Sequence, residues 1–528
     1  MKVKAAPRSQ SFSSIARFLA VALVFGIAYT QDPIYNSPDN QNTKFLQGLA
    51  KAGYGLLSED WLANTIDPLP AFSFLVQFTY QYIHPEWMFY GYYILIFGVY
   101  AYSILGIVNH VYKIGYSGLK YWVFFTAFIA LHTVHIKVGN FDTGWHFHAG
   151  VADQFILGQV FQPCNFGAFI LLSIWLFLSR KPFLAVSSLA LATTFHPTYL
   201  PSAAILTLSY MGVILKDEFN SRKALAVGVL SLILVLPVFC YMYFTFSATN
   251  PEIWRKAQEI IVEFRTPHHS LPEVWLDNEV PYIQAGIVAL AVYLVRQTKL
   301  FLVLLLPGMM AIGLTVAEIQ LNSDTLAFIA PWRLSVFLVP LSSCIIGAGL
   351  VSWAFENYRN PMIQHQRLVA RVTLFILSVL VLAGAVEQAI SFYGKDKTTP
   401  MMEFVKQTRV SGEIYLVTPD SKRLRKFRLY TGAPILVNFK SHPYKDREVI
   451  EWYSRLQLAQ GFYGEGCRVL GELRDRYRIT HVVLEREQFD WGCEGLEELF
   501  RDEHYGVYRV VGGQGFAPDL RVKSVPLF

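Results

Sequence analysis

Charge is what this chain has least of. Asp, Glu, Lys and Arg make up 16% of its 528 residues, against roughly 25% in a soluble globular protein. That scarcity argues against an ordinary cytosolic enzyme. Other absences narrow the field further. There is no basic tail, Gly-rich tract, heptad run or repeat at fixed spacing, so coiled-coil and solenoid architectures are excluded. The net charge of +6 does not point to nucleic acid. No G-x-G-x-x-G or P-loop supports nucleotide binding, and no H-E-x-x-H or C-x-x-C marks a metal. What fills the space is apolar: 53% hydrophobic, 15% aromatic, with a positive mean hydropathy of +0.34. Lipid is the expected solvent.

The scarcity is uneven. Residues 394–528 hold 41 of the 84 charged residues, and the first 393 hold the other 43. The expected fold is therefore an α-helical polytopic membrane protein over 1–393, followed by a soluble α/β domain over 394–528. Apolar windows of about 20 residues place eleven spans near 14–30, 87–109, 119–136, 166–179, 183–195, 199–215, 224–246, 281–296, 300–317, 332–353 and 372–392. The fifth and sixth read equally as one helix broken at His196-Pro197. Alternate loops collect Lys2, Lys4, Arg8 and Arg17, then Lys113 and Lys120, Arg180 and Lys181, Arg222 and Lys223, Arg296 and Lys299, and Arg367 and Arg371. By the positive-inside rule these face the cytoplasm, giving an N-in, C-out arrangement with an extracytoplasmic C-terminal domain. The first span lacks a small-residue cleavage site after it and reads as retained. The run 70–83 is short for a span and reads as interfacial or re-entrant, and 42–57 reads as an amphipathic interfacial helix.

The three long outer loops, 31–85, 137–165 and 247–280, carry the unusual residues. Asp32 lies close to a span end, where a carboxylate is costly unless used; it equally starts an Asp-Pro turn. Glu59-Asp60 is the only adjacent acidic pair in the first loop. Of ten histidines before residue 394, eight (His84, His132, His135, His146, His148, His196, His268 and His269) fall at or near the outer face. Imidazoles there suit metal, proton transfer or phosphate, or are interface residues satisfied by water. Arg265 and Arg333 either snorkel to lipid phosphates or bind the phosphate of a lipid-linked substrate. In the tail, the expected elements are helices near 400–409, 446–460 and 467–477 and strands near 413–418, 434–439, 479–484 and 505–511, in a partly parallel sheet. The basic run 421–428 reads as a solvated or headgroup-facing edge, or as a pyrophosphate site. Cys467 and Cys493 share the exported domain, where a disulfide is permitted.

The segments NQNTKFLQGLAKAGYGLLSEDWLANTIDPLPAFS, HPTYLPSAAIL, FRTPHHSLPEVW and FRLYTGAPILVNFKSHPYKDREVIEWYSR resemble a family of bacterial multi-span proteins whose C-terminal region is a domain of unknown function. In plan, the chain resembles the GT-C class of membrane glycosyltransferases. That resemblance implies transfer of a sugar from a polyprenyl-phosphate donor to an acceptor at the outer face of a bacterial inner membrane. Asp32, or else Asp60, would be the general base. Glu59, His146, His148, Arg265, His268, His269 and Arg333 would form the substrate site, with no cofactor or one divalent cation. Membrane lipid and the lipid-linked donor are the implied partners, and nucleic acid is not. Many GT-C members carry two adjacent acids after the first span, whereas here Pro33 follows Asp32. The competing reading is a non-enzymatic membrane protein: a transporter of an anionic or lipid-linked solute, or an assembly factor with an exported interaction domain. Mid-span charges would favour transport, and almost none are present.

Overall fold

The computed structural model describes residues 8–36, 40–115, 118–487 and 493–511. All eleven apolar segments are helical: Arg8–Tyr29, Trp87–Tyr112, Leu119–Thr133, Ala168–Leu178, Pro182–Phe195, Leu200–Glu218, Ser221–Thr245, Val280–Leu294, Leu300–Leu321, Ser335–Asn357 and Gln366–Tyr393. Among the described residues, six helices are long and apolar enough to cross a bilayer. The protein is an α-helical polytopic membrane protein with a small sheet near its C-terminus. Helices 221–245, 300–321 and 366–393 leave large apolar side chains exposed, Leu232, Ile312 and Phe375 among them. Apolar surface on that scale is stable against lipid tails, not water.

The break at His196-Pro197 separates two helices. Helix Pro182–Phe195 stops where His196 turns extended, and Pro197 opens a tight turn that leads into Leu200–Glu218. Proline forces that outcome, because it disfavours helical geometry in the residue before it and has no amide to donate.

Contacts divide the chain into two units. The first comprises Met1–Gln31, Phe89–Tyr243 and Thr266–Ser391; the second comprises Asp32–Met88, Phe244–Arg265 and Phe392–Phe528. These units do not follow the linear division at residue 393. Two of the expected loops contribute to the unit that contains the C-terminal region. Within the first unit, Phe25 sits at an aromatic centre, with the rings of Phe97, Tyr100 and Phe128 between 5.0 and 6.1 Å away.

In the second unit, strands β3 (Tyr415–Leu416), β4 (His481–Glu485), β5 (Leu496–Arg501) and β6 (Tyr505–Val510) form a sheet of order β3-β4-β6-β5. A separate two-stranded ladder in the first unit joins β1 (Lys137–Val138) to β2 (Phe141–Asp142). In the four-stranded sheet β3 runs parallel to β4, and the other pairs are antiparallel. Every residue of β4 is buried, as a central strand covered on both faces should be. Met402, Val405, Phe427 and Val483 meet in its core. Helices Thr399–Thr408, Asp446–Glu465 and Leu470–Tyr477 lie where expected, and Cys467 and Cys493 are joined as a disulfide with Cα atoms 5.7 Å apart.

Three local expectations are corrected. The segment 434–439 makes only a bridge, Tyr415 to Ile435, with Pro434 and Leu436 bonded to Tyr415; Pro434 cannot donate to a ladder. The segment 42–57 does not keep an apolar face for lipid. It forms two short helices, Gln41–Lys44 and Leu46–Lys51, whose Phe45, Leu46 and Leu49 are fully buried, with Phe45 against Phe72. The basic run 421–428 is not a solvated edge either, because Leu424, Lys426, Phe427 and Arg428 are buried.

Segment 32–88 is locked to the C-terminal part of the second unit by main-chain contact. Leu56 N–H donates to Gly432 O at 2.7 Å and Tyr54 Oη to Leu429 O at 2.7 Å. Gly55 has φ +55°, and a Cβ there would lie 2.6 Å from Gly432 O. Gly53 has φ +79° but open space around it. Gly55→Ala should therefore destabilise the protein by more than about 1 kcal/mol, and by more than Gly53→Ala does. Thermal unfolding of the detergent-purified variants checks this; equal losses at the two positions would show that the close approach contributes nothing.

Candidate functional site

In the first unit, segment 137–165 is organised by one carboxylate. Asp142 caps helix Thr143–His148, its Oδ1 accepting from Gly144 N–H, Trp145 N–H and His135 Nδ1 at 2.9 to 3.0 Å. Burial pushes the Asp142 pKa up, but these donors and the charge of His135 outweigh it and hold the carboxyl below its usual range. The Asp142 N–H donates to His146 Nδ1 at 2.9 Å. That fixes the tautomer, so His146 carries its proton on Nε2, 3.8 Å from Asp153 Oδ1. Trp145 Nε1 donates to the same Asp153 oxygen at 3.1 Å.

Hydrogen bonding from His146 is the main reason that the Asp153 pKa falls below its usual value, with the charge of His269 also contributing. His269 is tied in through Nδ1, which donates to Ala152 O at 2.7 Å, while its own carbonyl accepts from Trp332 Nε1 at 2.8 Å. Ala152 and Asp153 both sit in the left-handed region, at φ +56° and +52°. Such strain persists only where the surroundings over-determine it. Val151 N–H to Ser335 Oγ at 2.7 Å, and Gln284 Nε2 to the carbonyls of His146 and Ala149, supply that constraint. His146, Asp153 and His269 are thus brought together as a carboxylate between two imidazoles, with the Asp153 side chain 62% exposed.

The other predicted residues of this unit are placed differently. His148 is a core residue: it is buried, stacks on His132 with ring centroids 5.2 Å apart, and lies 3.1 Å from Tyr29 Oη. Burial, helped by the charge of His132, depresses its pKa well below the ordinary value, so it is neutral. Its alternation with His146 explains the correction, because neighbours two apart on a helix face opposite ways. His268 is exposed and packs its ring 4.0 Å from that of His269. Arg333 is half-buried in the turn Pro331–Leu334 that opens helix Ser335–Asn357, within electrostatic reach of Tyr199.

In the second unit, Asp32 is half-buried three residues after helix Arg8–Tyr29 and precedes a turn closed by Asn36 N–H to Pro33 O. Asp60 is not placed as a general base. It is 0% exposed and Arg428 is 1% exposed, with Arg428 Nε 2.7 Å from Asp60 Oδ2. The same oxygen accepts from Ile435 N–H, and Oδ1 accepts from Leu62 and Ala63 N–H. All its capacity is spent on protein donors. Glu59 is exposed, its two oxygens accepting from Ser411 Oγ and Gly412 N–H, each at 2.8 Å.

Arg265 is the most unusual of the predicted residues. It ends the π-helical turn Ile260–Arg265 and is only 6% exposed. Nη2 donates to Lys440 O at 2.7 Å and the guanidinium lies 4.9 Å from the Phe439 ring centroid, but among the described residues Nε has no hydrogen-bond partner and no carboxylate pairs with the guanidinium. Its electrostatic neighbours are Tyr444, Arg425 and His442. Burial pulls its pKa down to about 10. Lys44, bonded to Tyr444 Oη at 3.1 Å, lines a small cavity with His442 and Tyr444. Burial and the charge of Arg265 keep His442 neutral, its pKa well below the ordinary value. A buried cation without an acid is costly, and this arrangement suits a bound oxyanion. His442 was not singled out from the sequence, whereas Asp153 stands near His146 and His148 there and Arg425 lies in the basic run 421–428. The signal for His442 was its place in the FKSHPYK segment, downstream of the charged run that holds Arg425.

Among the described residues, no group of three or more His, Cys, Asp or Glu side chains is arranged to hold a metal ion. Residues 396–459 match the model of a domain of unknown function, DUF6798. No curated protein matches the chain. In fold, it is similar to the archaeal oligosaccharyltransferase AglB from Archaeoglobus fulgidus, solved with an inhibitory peptide and a dolichol-phosphate, at TM-score 0.48 and 10% identity over 90% of this chain and 70% of that one. It is also similar to ArnT from Cupriavidus metallidurans. The apo form gives TM-score 0.46 and 11% identity over 96% and 100% of the two chains. The form bound to undecaprenyl phosphate gives 0.43 and 12% over 95% and 99%.

Asp60→Asn should strand the buried Arg428 guanidinium and cost about 3 to 5 kcal/mol, with Asp60→Asn/Arg428→Met recovering part of the loss. Thermal unfolding of purified protein reads both. An unchanged melting temperature in Asp60→Asn would return Asp60 to the list of catalytic candidates.

Proposed function

We propose that the protein is an integral membrane glycosyltransferase that moves a sugar from a polyprenyl phosphate to an acceptor hydroxyl. The observation that carries this reading is Arg265, a buried guanidinium with no carboxylate partner among the described residues, set among Arg425, His442 and Tyr444. The missing negative charge is that of the donor phosphate. In this reaction Asp32 takes the proton of the acceptor hydroxyl, the hydroxyl oxygen bonds to the anomeric carbon, and the carbon–oxygen bond to the phosphate breaks with its electron pair. The leaving phosphate gains charge, and preorganised cations lower that barrier. A positioned base contributes roughly 10²- to 10⁴-fold. The membrane is the bacterial inner membrane, the N-terminus is cytoplasmic and residues 394–528 are extracytoplasmic. Arg265 meets the phosphate charge alone or together with a divalent cation, and chelation during the assay separates these.

The test is polyprenyl-phosphate binding and sugar transfer by the purified protein, together with the lipid-linked and surface glycans of intact cells. Asp32→Asn should lower transfer at least about 100-fold and leave binding of the polyprenyl phosphate intact. Arg265→Gln should weaken that binding, and Arg265→Lys should retain part of it. The wild-type protein should lose affinity as the pH rises through about 10, where Arg265 gives up its proton; below that pH the cation is intact. If deletion of the whole chain changes no glycan, the transferase reading fails.

A further inference from the structure

A second cavity in the same unit, of about 180 Å³, is lined by Glu59, Trp61, Arg455, Arg476, Tyr477 and Arg478 among others. Its volume equals the liquid volume of about six waters. Three guanidiniums face it, against one carboxylate whose oxygens are both turned to Ser411 and Gly412. Arg455 is held between two rings, 4.2 Å from the Trp61 centroid and 4.6 Å from that of Tyr477, with Nε bonded to Glu451 at 2.9 Å. Contact with two rings restrains the fork, and a guanidinium so restrained favours oxyanions. Arg476 lies 5.0 Å from the Tyr477 ring centroid and has a long 3.7 Å contact with Glu472.

One further feature points to a ligand. Arg478 ends helix Leu470–Tyr477 in the left-handed region, at φ +55°. Glycine is the ordinary residue there. The helix dipole accounts for a cation at this end, but not for a side chain carried on a strained backbone.

We propose that this cavity is an oxyanion site that takes a small phosphorylated or carboxylated ligand, gripped by Arg455, Arg476 and Arg478. It is separate from the Arg265 cluster and does not depend on the transferase reading.

Calorimetric titration of the full-length protein in detergent with glucose 6-phosphate, glucuronate and glucose tests it. At least one of the two anionic sugars should bind about tenfold or more tightly than glucose. Preference for the phosphate assigns a phosphorylated ligand, and preference for glucuronate a uronic acid. Arg476→Gln/Arg478→Gln, at two exposed positions, should weaken that binding about tenfold without lowering the melting temperature. Arg265→Gln should leave it unchanged. Equal binding of all three sugars, or of none, overturns the proposal. So does anionic-sugar binding that survives the double substitution or is abolished by Arg265→Gln.

Discussion

The ion pair between Asp60 and Arg428 is the contact on which the second unit is organised. Both side chains are out of water, so neither charge can be tolerated without the other. The carboxylate does more than neutralise. Through four protein donors it orients the turn at Leu62, the helix carrying Arg428 and the chain at Ile435. Ile435 in turn bridges to Tyr415 of β3. Asp446 plays a similar part for segment 244–265, accepting from Thr249 N–H at 2.6 Å and Thr249 Oγ1 at 2.8 Å. Glu448 accepts from Ile66 N–H at 3.0 Å. Three stretches remote in sequence are joined by carboxylates that water does not reach freely.

The two clusters that attract attention as binding sites use charge in the opposite way. At Asp60 a cation and an anion are matched, and the chemistry is closed. At Arg265 the cation stands with a carbonyl and an aromatic ring, which stabilise it only in part. The lowered pKa expresses that shortfall. In the first unit, the Asp153 carboxylate is the exposed member of its cluster, and its two histidines are ordered by main-chain bonds. Rigid supports around an accessible polar group are what a binding site requires.

The helices were legible from hydropathy alone, because a span of about 20 apolar residues has few alternatives. All eleven were located, and so was the break that Pro197 imposes. The sheet was only partly legible. β4 is a continuous apolar run, whereas β5, LEELFR, is charged at alternate positions and does not read as a strand. Long-range partnership was the part hidden from sequence. Asp60 read as an alternative general base and Arg428 as part of a solvated or headgroup-facing edge or pyrophosphate site, and nothing local distinguishes a carboxylate that will be buried against an arginine far downstream. For the same reason the stripe at Phe45, Leu46 and Leu49 suggested a lipid-facing helix; its true counterpart is Phe72, supplied by the next helix. Arg265 stands out in the sequence as a cation before paired histidines near a span end.

The separation of Asp60 from Arg428, 368 residues, also has a consequence in time. At about 5 to 20 residues per second, the ribosome needs about 20 to 70 seconds to reach the arginine after making the aspartate. Throughout that interval the segment that follows the first helix has its acid and its glycine turn but not their counterparts, Arg428 and Gly432. Most of the membrane helices must be threaded while it waits. A chain stopped anywhere before Arg428 would keep Asp60 unpaired and the turn at Gly55 without Gly432, and would offer quality-control proteases a ready place to begin.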